Sequence, residues 1–349
     1  MAASTTPEES LLASRLRSQL LSGPRARGPL AVAERLLAIQ AQDPRGARLA
    51  VRVRATPGLS AAAVERALSD GSLVISWLCR GTLHMVARED YGWLHALMAP
   101  RQLAGSRRRL AQLGVSERVA ERGVATIERS LLERGPLTRE QLRGELDEAS
   151  VPTEGQALVH LLILAAQRGL ILRGPMVGAH HAFVLVRDWL GEQPVVDRDS
   201  ALAELARRYL AGHAPADDRD LAKWSGLALG EVRRGLAVAA AKLRRRADGL
   251  FEPATRRSAA DLPPPRLLGA FDPVLLGWSS RAPIVGEHAG IVSSNGLFRP
   301  IALVGGRAVA TWAMPAGRVV LAPFGELDER DAAALDAEAA DVERYLARA

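Results

Sequence analysis

The sequence has 349 residues, of which 48% are hydrophobic and one, Cys79, is a cysteine, and its formal net charge is +7. This length accommodates about two or three domains, and this composition excludes a disordered chain, a disulfide framework and a zinc site built from several cysteines. The positive charge favours nucleic acid as a partner, because all basic residues except Lys223 and Lys242 are arginines, whose planar guanidinium pairs well with phosphate.

The first hundred residues are predicted to contain three helices and then a hairpin. The helices are expected from Glu8 to Leu21, from Pro29 to about Gln42, and from Ser60 as N-cap to Asp70-Gly71. Two β-rich runs follow, Leu73 to Trp77 and Thr82 to Val86, separated by Cys79-Arg80-Gly81. This order of elements, helices followed by a small hairpin, is that of a winged helix.

The same order recurs twice. The second round has a helix from Val115 to Glu133, a capping box of Thr138 and Gln141, a helix from Thr153 to Arg168, and candidate strands at Leu170 to Leu172 and Ala182 to Val186. The third has a helix from Ser200 to Ala211 and a helix-turn-helix formed by Asp220 to Ser225 and a helix from about Leu229. That last helix is expected to present a basic face containing Arg244, Arg245 and Arg246.

The C-terminal quarter is predicted to be rich in strands. They are expected at Val274 to Trp278, Gly290 to Ser293, Phe298 to Val304 and Arg307 to Trp312, with a closing helix from Asp328 to Ala347. We therefore expect an α+β fold in four segments: three winged helices over residues 1–100, 101–193 and 194–260, and a β-rich unit over residues 261–349. The tryptophans Trp77, Trp224, Trp278 and Trp312 are interpreted as core anchors.

Neither a membrane span nor a cofactor site is predicted. No apolar run approaches the roughly 18 residues that a span needs, and the start, MAASTTPEES, lacks the regions of a secretory signal, so we expect a cytoplasmic protein. The pair His180-His181 has no third ligand nearby in sequence, which favours a loop over a metal site. Phosphate-binding loops, nucleophile elbows and dinucleotide fingerprints are missing, so the common nucleotide and hydrolase classes are excluded.

Several stretches spread over the whole chain resemble one known family. They are Leu36-Leu37-Ala38-Ile39-Gln40-Ala41-Gln42-Asp43-Pro44-Arg45, Trp77-Leu78-Cys79-Arg80-Gly81-Thr82-Leu83-His84-Met85-Val86, Asp220-Leu221-Ala222-Lys223-Trp224-Ser225-Gly226-Leu227, Phe271-Asp272-Pro273, Asn295-Gly296-Leu297-Phe298-Arg299-Pro300 and Thr311-Trp312. Together these stretches resemble the winged-helix DNA-binding proteins of the AlkZ/YcaQ type.

The resemblance implies a C-shaped scaffold of tandem winged helices with a basic concave face. Characterised members are monofunctional DNA glycosylases that act on N7-alkylguanine, including bulky natural-product adducts and interstrand crosslinks. Their catalytic signature, Gln-x-Gln or Gln-x-Asp, falls here on Gln40 and Gln42. The Gln-x-Gln form is associated with self-resistance to DNA-alkylating antibiotics, so the resemblance implies duplex DNA with alkylated purines as the partner.

The chemistry of this motif suits a leaving group that is already activated. Alkylation at N7 gives guanine a positive charge, so the base departs neutral and needs no strong acid. A glutamine amide oxygen can orient a water by accepting its hydrogen bond, although it cannot act as a base. Residues two apart on a helix point in nearly opposite directions, so Gln40 and Gln42 can converge only if the helix distorts or ends between them. Asp43 is the alternative water activator, and its other role is to cap the following turn.

Further DNA contacts are predicted at basic residues, each with a structural alternative. Arg45 follows the catalytic signature, Arg80 and His84 lie on the first wing, and Arg299 follows the turn at Asn295-Gly296. His84 lies in an apolar run and could instead be a core histidine, while Arg299 could form a surface ion pair. Coding bias explains the choice of arginine over lysine, but it does not explain the net positive charge.

Two other classes of function compete with a glycosylase. One is a DNA-binding protein without catalysis, either a transcription regulator or a protein that sequesters lesions. A regulator normally adds a dimerisation helix, and the sequence has no heptad repeat, which favours a monomer that wraps DNA. The other is a protein-interaction scaffold, which the basic excess disfavours.

Overall fold

The computed structural model describes residues 6–178, 180–255 and 261–347. The chain divides into two compact units. We call them the middle unit, Glu65–Ala201, and the split unit, which combines the described residues up to Val64 with those from Leu202 onward. The predicted division into four segments stays a prediction, and its boundary at residue 260 lies outside the described residues.

The described residues form helices and strands in mixed order, which confirms the α+β class. Up to the end of the middle unit they are α1 (Pro7–Ser18), α2 (Pro29–Leu36), β1 (Ile39–Gln40), α3 (Pro44–Arg52), α4 (Ala61–Ser69), β2 (Leu73–Trp77), β3 (Leu83–Ala87), α5 (Arg88–Gln112), α6 (Glu117–Arg134), β4 (Leu137–Thr138), α7 (Arg139–Glu148), α8 (Ala157–Gln167), β5 (Ile171–Val177), β6 (His180–Leu185) and α9 (Val186–Leu190).

The remaining elements begin with a helix that crosses into the split unit. They are α10 (Arg198–His213), α11 (Asp218–Ser225), α12 (Leu229–Val238), β7 (Leu243–Arg245), β8 (Phe251–Pro253), β9 (Arg266–Leu268), α13 (Pro273–Leu276), α14 (Ala282–Val285), β10 (Ile301–Val304), β11 (Arg307–Ala313), β12 (Val320–Pro323) and α15 (Glu329–Ala347). Among the described residues, no helix is both long enough and apolar enough to cross a membrane.

The middle unit contains an antiparallel sheet in the order β3-β2-β5-β6-β4. The predicted first hairpin is confirmed, because β2 and β3 pair with Ser76 opposite His84. The predicted capping box is also confirmed, because the Thr138 hydroxyl accepts the Gln141 N–H and the Gln141 side chain accepts the Thr138 N–H at the start of α7. Both devices are local in sequence, which is why the sequence predicts them well.

The split unit has an antiparallel sheet in the order β12-β11-β10-β9, with α15 packed on β9. The predicted strand at Arg307 to Trp312 and the closing helix are confirmed. The strands predicted at Val274 to Trp278 and Gly290 to Ser293 are wrong. Asp272 accepts the Val274 N–H at 3.0 Å and starts helix α13, while Val292 forms only an isolated bridge with Phe298. The four tryptophans, including Trp312 at 5% exposure, are buried, which confirms their core role.

The helix predicted to reach Gln42 is wrong, because α2 ends at Leu36 and Leu37 has a φ of 68°. All six residues from Leu36 to Ala41 are buried. An amphipathic helix buries only one face, so a run with this burial fits an extended segment better. Gln40 consequently ends the short strand β1, and Asp43 starts the separate helix α3.

The basic helix predicted to include Arg244, Arg245 and Arg246 is also wrong. Helix α12 ends at Val238, and the three arginines begin a hairpin in which β7 pairs with β8. The turn at Asp248-Gly249 reverses the chain, with Gly249 at a φ of 85°, and places Arg244 opposite Glu252. The attraction between these cross-strand charges favours the hairpin over a continued helix.

Helix α3 is fixed from both ends within the split unit. A Cβ atom at Gly46 would lie 2.3 Å from the Ala270 carbonyl oxygen, so the two backbones pack directly against each other. At the other end, Arg52 pairs with Glu338 at 2.8 Å and with Asp341 at 2.6 Å, both on α15. These contacts hold the segment that follows the Gln-x-Gln signature in one place.

Gly46→Ala is therefore expected to destabilise the protein by about 1–3 kcal/mol, because the added methyl group has no space beside the Ala270 carbonyl. The matched control is Gly230→Ala at the start of α12, where a Cβ atom would have no neighbour within 4 Å. That change is expected to be neutral or slightly stabilising. Chemical denaturation followed by circular dichroism compares the two variants, and equal stabilities would contradict the close packing of α3.

Candidate active site

The Gln-x-Gln segment is a short non-helical stretch that leads into the start of α3. Gln40, at 7% exposure, is buried at the end of β1, Ala41 is buried, and Gln42 is exposed at a bend. The two glutamines are therefore not on a regular helix, where residues two apart would point in nearly opposite directions. Gln40 therefore lies inside the protein, whereas Gln42 lies at its surface.

Asp43 is the N-cap of α3. Its backbone is extended, with a φ of −105°, and its carboxylate accepts the Gly46 N–H at 3.0 Å. This is the structural role that the sequence left open, and it satisfies a donor that the helix itself cannot. The same residue is half-buried and lines a cavity.

The cavity beside Asp43 has a volume of about 450 Å³. Its lining comes from the first half of α3 with its N-cap, the segment after β9, the residue before β10 and the end of β11, all in the split unit: Asp43, Pro44, Arg45, Gly46, Leu49, Ala270, Pro300, Trp312, Ala313 and Met314. This volume lies within the range of small-molecule sites. The sequence pointed to Pro300 and Trp312 only as parts of the family-like stretches, and it gave no signal for Met314.

Two of the predicted DNA-contact residues in the split unit are exposed arginines. Arg45 lines the cavity, and Arg299 follows the turn at Asn295-Gly296. Within the part of the chain that the structure describes, neither has a carboxylate within ion-pair distance. The surface ion pair considered for Arg299 is therefore not formed there, and both guanidinium groups are available to an external anion.

The two candidates on the first hairpin belong to the middle unit. Arg80 is half-buried, with a φ of 56°. His84 is 1% exposed, and its Nδ1 lies 2.9 Å from the Thr82 carbonyl oxygen. Burial first and the charge of Arg80 second lower the pKa of His84 to about 3, so its ring is neutral at physiological pH. The structure thus favours the core role for His84, and we drop it from the proposed DNA contacts.

The arginines of the β7–β8 hairpin are partly occupied by ion pairs. Arg244 pairs with Glu252, and Arg246 pairs with Asp248 at 2.9 Å. The Arg245 guanidinium lies 5.7 Å from the centre of the Phe251 ring. A phosphate contact by Arg244 or Arg246 would compete with these carboxylates, so Arg245 is the strongest of the three candidates.

The described ranges 6–178, 180–255 and 261–347 contain no group of three histidine, cysteine, aspartate or glutamate side chains that could hold a metal ion. His180 and His181, predicted to lie in a loop, start strand β6. The Gln40–Asp43 segment contains two amides and ends in one carboxylate, that of Asp43, which lines an open cavity. Amide and carboxylate oxygens can orient a water and face a developing positive charge.

Comparisons with known proteins agree on one family. The profile of the family described as DNA glycosylase AlkZ-like matches residues 33–345. The chain is 30% identical over 343 residues to a protein named interstrand DNA cross-link repair glycosylase from Streptomyces sahachiroi, with 90% of this chain and 89% of that protein covered. The solved structure of the Streptomyces sahachiroi DNA glycosylase AlkZ matches with a TM-score of 0.79 at 23% identity, covering 98% of this chain and 97% of that one.

Proposed function

Because the chain belongs to the AlkZ-like DNA glycosylase family, we propose that it hydrolyses the N-glycosidic bond of N7-alkylated guanine in duplex DNA. The observation that carries this proposal is the Gln40–Asp43 segment, which is not helical, ends beside an open cavity and is followed by an anchored helix. The amide of Gln42 is exposed on this segment and can reach a substrate.

The proposed reaction needs few protein groups. The bond between C1′ of the sugar and N9 of the base breaks, its electron pair neutralises the cationic purine, and a water oxygen bonds to C1′. The proton of that water passes to solvent. Gln40 and Gln42 orient the water and stabilise the oxocarbenium-like sugar through their amide oxygens, which are fixed dipoles in a partly dry site. Unmodified purines lack the positive charge, so this site would leave them intact.

The substrate range is proposed to include bulky adducts and interstrand crosslinks. The curated relative is named an interstrand DNA cross-link repair glycosylase, and the cavity of about 450 Å³ leaves space beside Asp43 for a large substituent. Arg45 and Arg299, both exposed, are proposed to contact DNA phosphates together with Arg80 and Arg245. We propose that the protein acts as a monomer.

The product is expected to be an intact abasic site. A glycosylase that also cuts the strand uses an amine to form a Schiff base with the sugar, and the only lysines of the sequence are Lys223 and Lys242. Lys223 is exposed on α11 and Lys242 precedes β7, so neither is on the segment that contains the Gln-x-Gln signature.

The experiment uses duplex containing one N7-methylguanine, with mass spectrometry of the released base and gel analysis of the strand with and without alkali. Free N7-methylguanine and a strand that breaks only in alkali are expected. A covalent protein–DNA adduct trapped by borohydride would contradict the monofunctional reaction, and the absence of any released base would contradict the proposed function.

A further inference from the structure

A second cavity of the split unit, of about 410 Å³, is lined by arginines from three different helices. Arg17 comes from the last turn of α1, Arg35 from the last turn of α2, and Arg207 from the middle of α10. The other lining residues are Ser18, Ala211, Pro253 and Thr255. We call this cavity the arginine pocket. None of its residues belongs to the Gln40–Asp43 segment or to the predicted DNA contacts.

Arg35 is the most informative member of the arginine pocket. Its Nε donates to the Ser18 carbonyl oxygen at 3.0 Å, which fixes the plane of the half-buried guanidinium. None of the carboxylates in the described residues pairs with it. Burial first and the positive charge of Arg17 second lower its pKa. Arg17 and Arg35 line the same cavity, and the positive charge of one disfavours the other, so an anion between them would be attracted to both.

Arg207 is held differently. It forms a two-point contact with Glu204 on the same helix, with its Nε 2.8 Å from one carboxylate oxygen. This contact orients the guanidinium and neutralises part of its charge. The terminal nitrogens of Arg35 remain as donors beside the guanidinium groups of Arg17 and Arg207. A fixed fork of N–H donors with nearby cations is the arrangement that binds a phosphate group.

We propose that the arginine pocket binds one phosphate group of the DNA backbone. This proposal rests on the proposed function, because it takes DNA as the partner. Gln40 follows Arg35 by five positions in the sequence, so their Cα atoms lie at most about 18 Å apart. That distance corresponds to about five base-pair steps along a duplex. A phosphate held at Arg35 would therefore set the register of the DNA strand relative to the Gln-x-Gln signature.

The experiment compares wild type with Arg17→Gln/Arg35→Gln, leaving the Arg207–Glu204 contact in place. Binding of an unmodified duplex is measured by fluorescence anisotropy over a range of salt concentrations. The logarithm of the association constant falls linearly with the logarithm of the salt concentration, and loss of one phosphate contact is expected to make this slope less steep by about 0.9. Arg330→Gln/Arg344→Gln on α15 is the matched control, because it removes the same charge from an exposed helix away from the pocket. This control is expected to keep the wild-type slope.

Arg35→Lys and inorganic phosphate give two further readouts. The lysine variant keeps the positive charge but loses the planar guanidinium, so its salt slope is expected to lie between those of wild type and the double variant. It also replaces the double variant in the comparison if that variant folds poorly. If phosphate raises the melting temperature of wild type but not of the double variant, while the DNA slope is unchanged, the pocket takes a free phosphate compound and the DNA assignment is overturned. Equal salt slopes in all proteins, with no effect of phosphate on the melting temperature, would overturn the proposal that the arginine pocket binds a phosphate group.

The base-release assay separates this proposal from the proposed function. If wild type releases N7-methylguanine and the double variant keeps its salt slope, the pocket proposal fails and the glycosylase stands. If the slope falls as expected and no base is released, the phosphate contact stands and the glycosylase proposal fails.

Discussion

Asp272→Ala is expected to lower the free energy of unfolding by about 3–5 kcal/mol. Asp272 and Arg54 are both fully buried, and the carboxylate accepts two hydrogen bonds from the guanidinium, at 2.7 and 2.9 Å. The Arg54 side chain also donates to the backbone oxygens of Gln19 and Ala50. Removal of Asp272 leaves a buried Arg54 cation with no other carboxylate at ion-pair distance among the described residues, and it also removes the cap of α13.

Denaturation by urea, followed by circular dichroism, measures this loss. Asp336→Ala is the matched control, because Asp336 is exposed on α15 and forms no ion pair within the described part of the chain. A change within about 0.5 kcal/mol is expected for that control. If Asp272→Ala also stayed within about 1 kcal/mol of wild type, the expected cost of leaving the buried Arg54 without its carboxylate would be wrong.

Gln42→Ala is expected to slow base excision by about 10²–10³ while leaving stability and duplex affinity nearly unchanged. Gln42 is exposed, so its truncation has little structural cost. Gln40→Ala is expected to slow excision by a similar factor, but Gln40 is buried at 7% exposure. Truncation there is therefore expected to cost about 1–3 kcal/mol as well. Single-turnover rates below the melting temperature of each variant separate the two effects.

Asp43→Asn is the control for the carboxylate. Asparagine caps a helix about as well as aspartate, so the hydrogen bond to the Gly46 N–H is retained and only the charge is lost. A mild effect on excision keeps the glutamines as the principal pair. Complete loss of excision with unchanged stability would move the activation of water to Asp43.

The sequence predicted the elements whose signals are local. The first hairpin, the capping box at Thr138, the turn at Gly226 between α11 and α12, and α15 all follow from capping residues, turn residues and periodicity. The family-like stretches also located Gln40 and Gln42. In each case a few neighbouring residues decide the conformation.

The wrong predictions concern segments whose conformation depends on contacts between residues that are far apart in the sequence. The helix predicted from Pro29 was too long. The six successive residues from Leu36 to Ala41 are buried by tertiary packing, and the hydrophobic periodicity of the sequence does not reveal such packing. Helix α5, which contains Pro100, was not predicted at all. The cavity beside Asp43 joins residues more than 200 positions apart, such as Gly46 and Ala270, and no pattern in either segment indicates that their backbones touch.

The time course of free N7-methylguanine released from a duplex tests the central claim most directly. Wild-type protein in excess is compared with Gln40→Ala/Gln42→Ala and with buffer alone, after circular dichroism has shown that both proteins are folded. We expect rapid release by wild type and release by the double variant slowed by at least about 10². Release by the double variant at the wild-type rate, or by wild type at the rate of buffer alone, would contradict it.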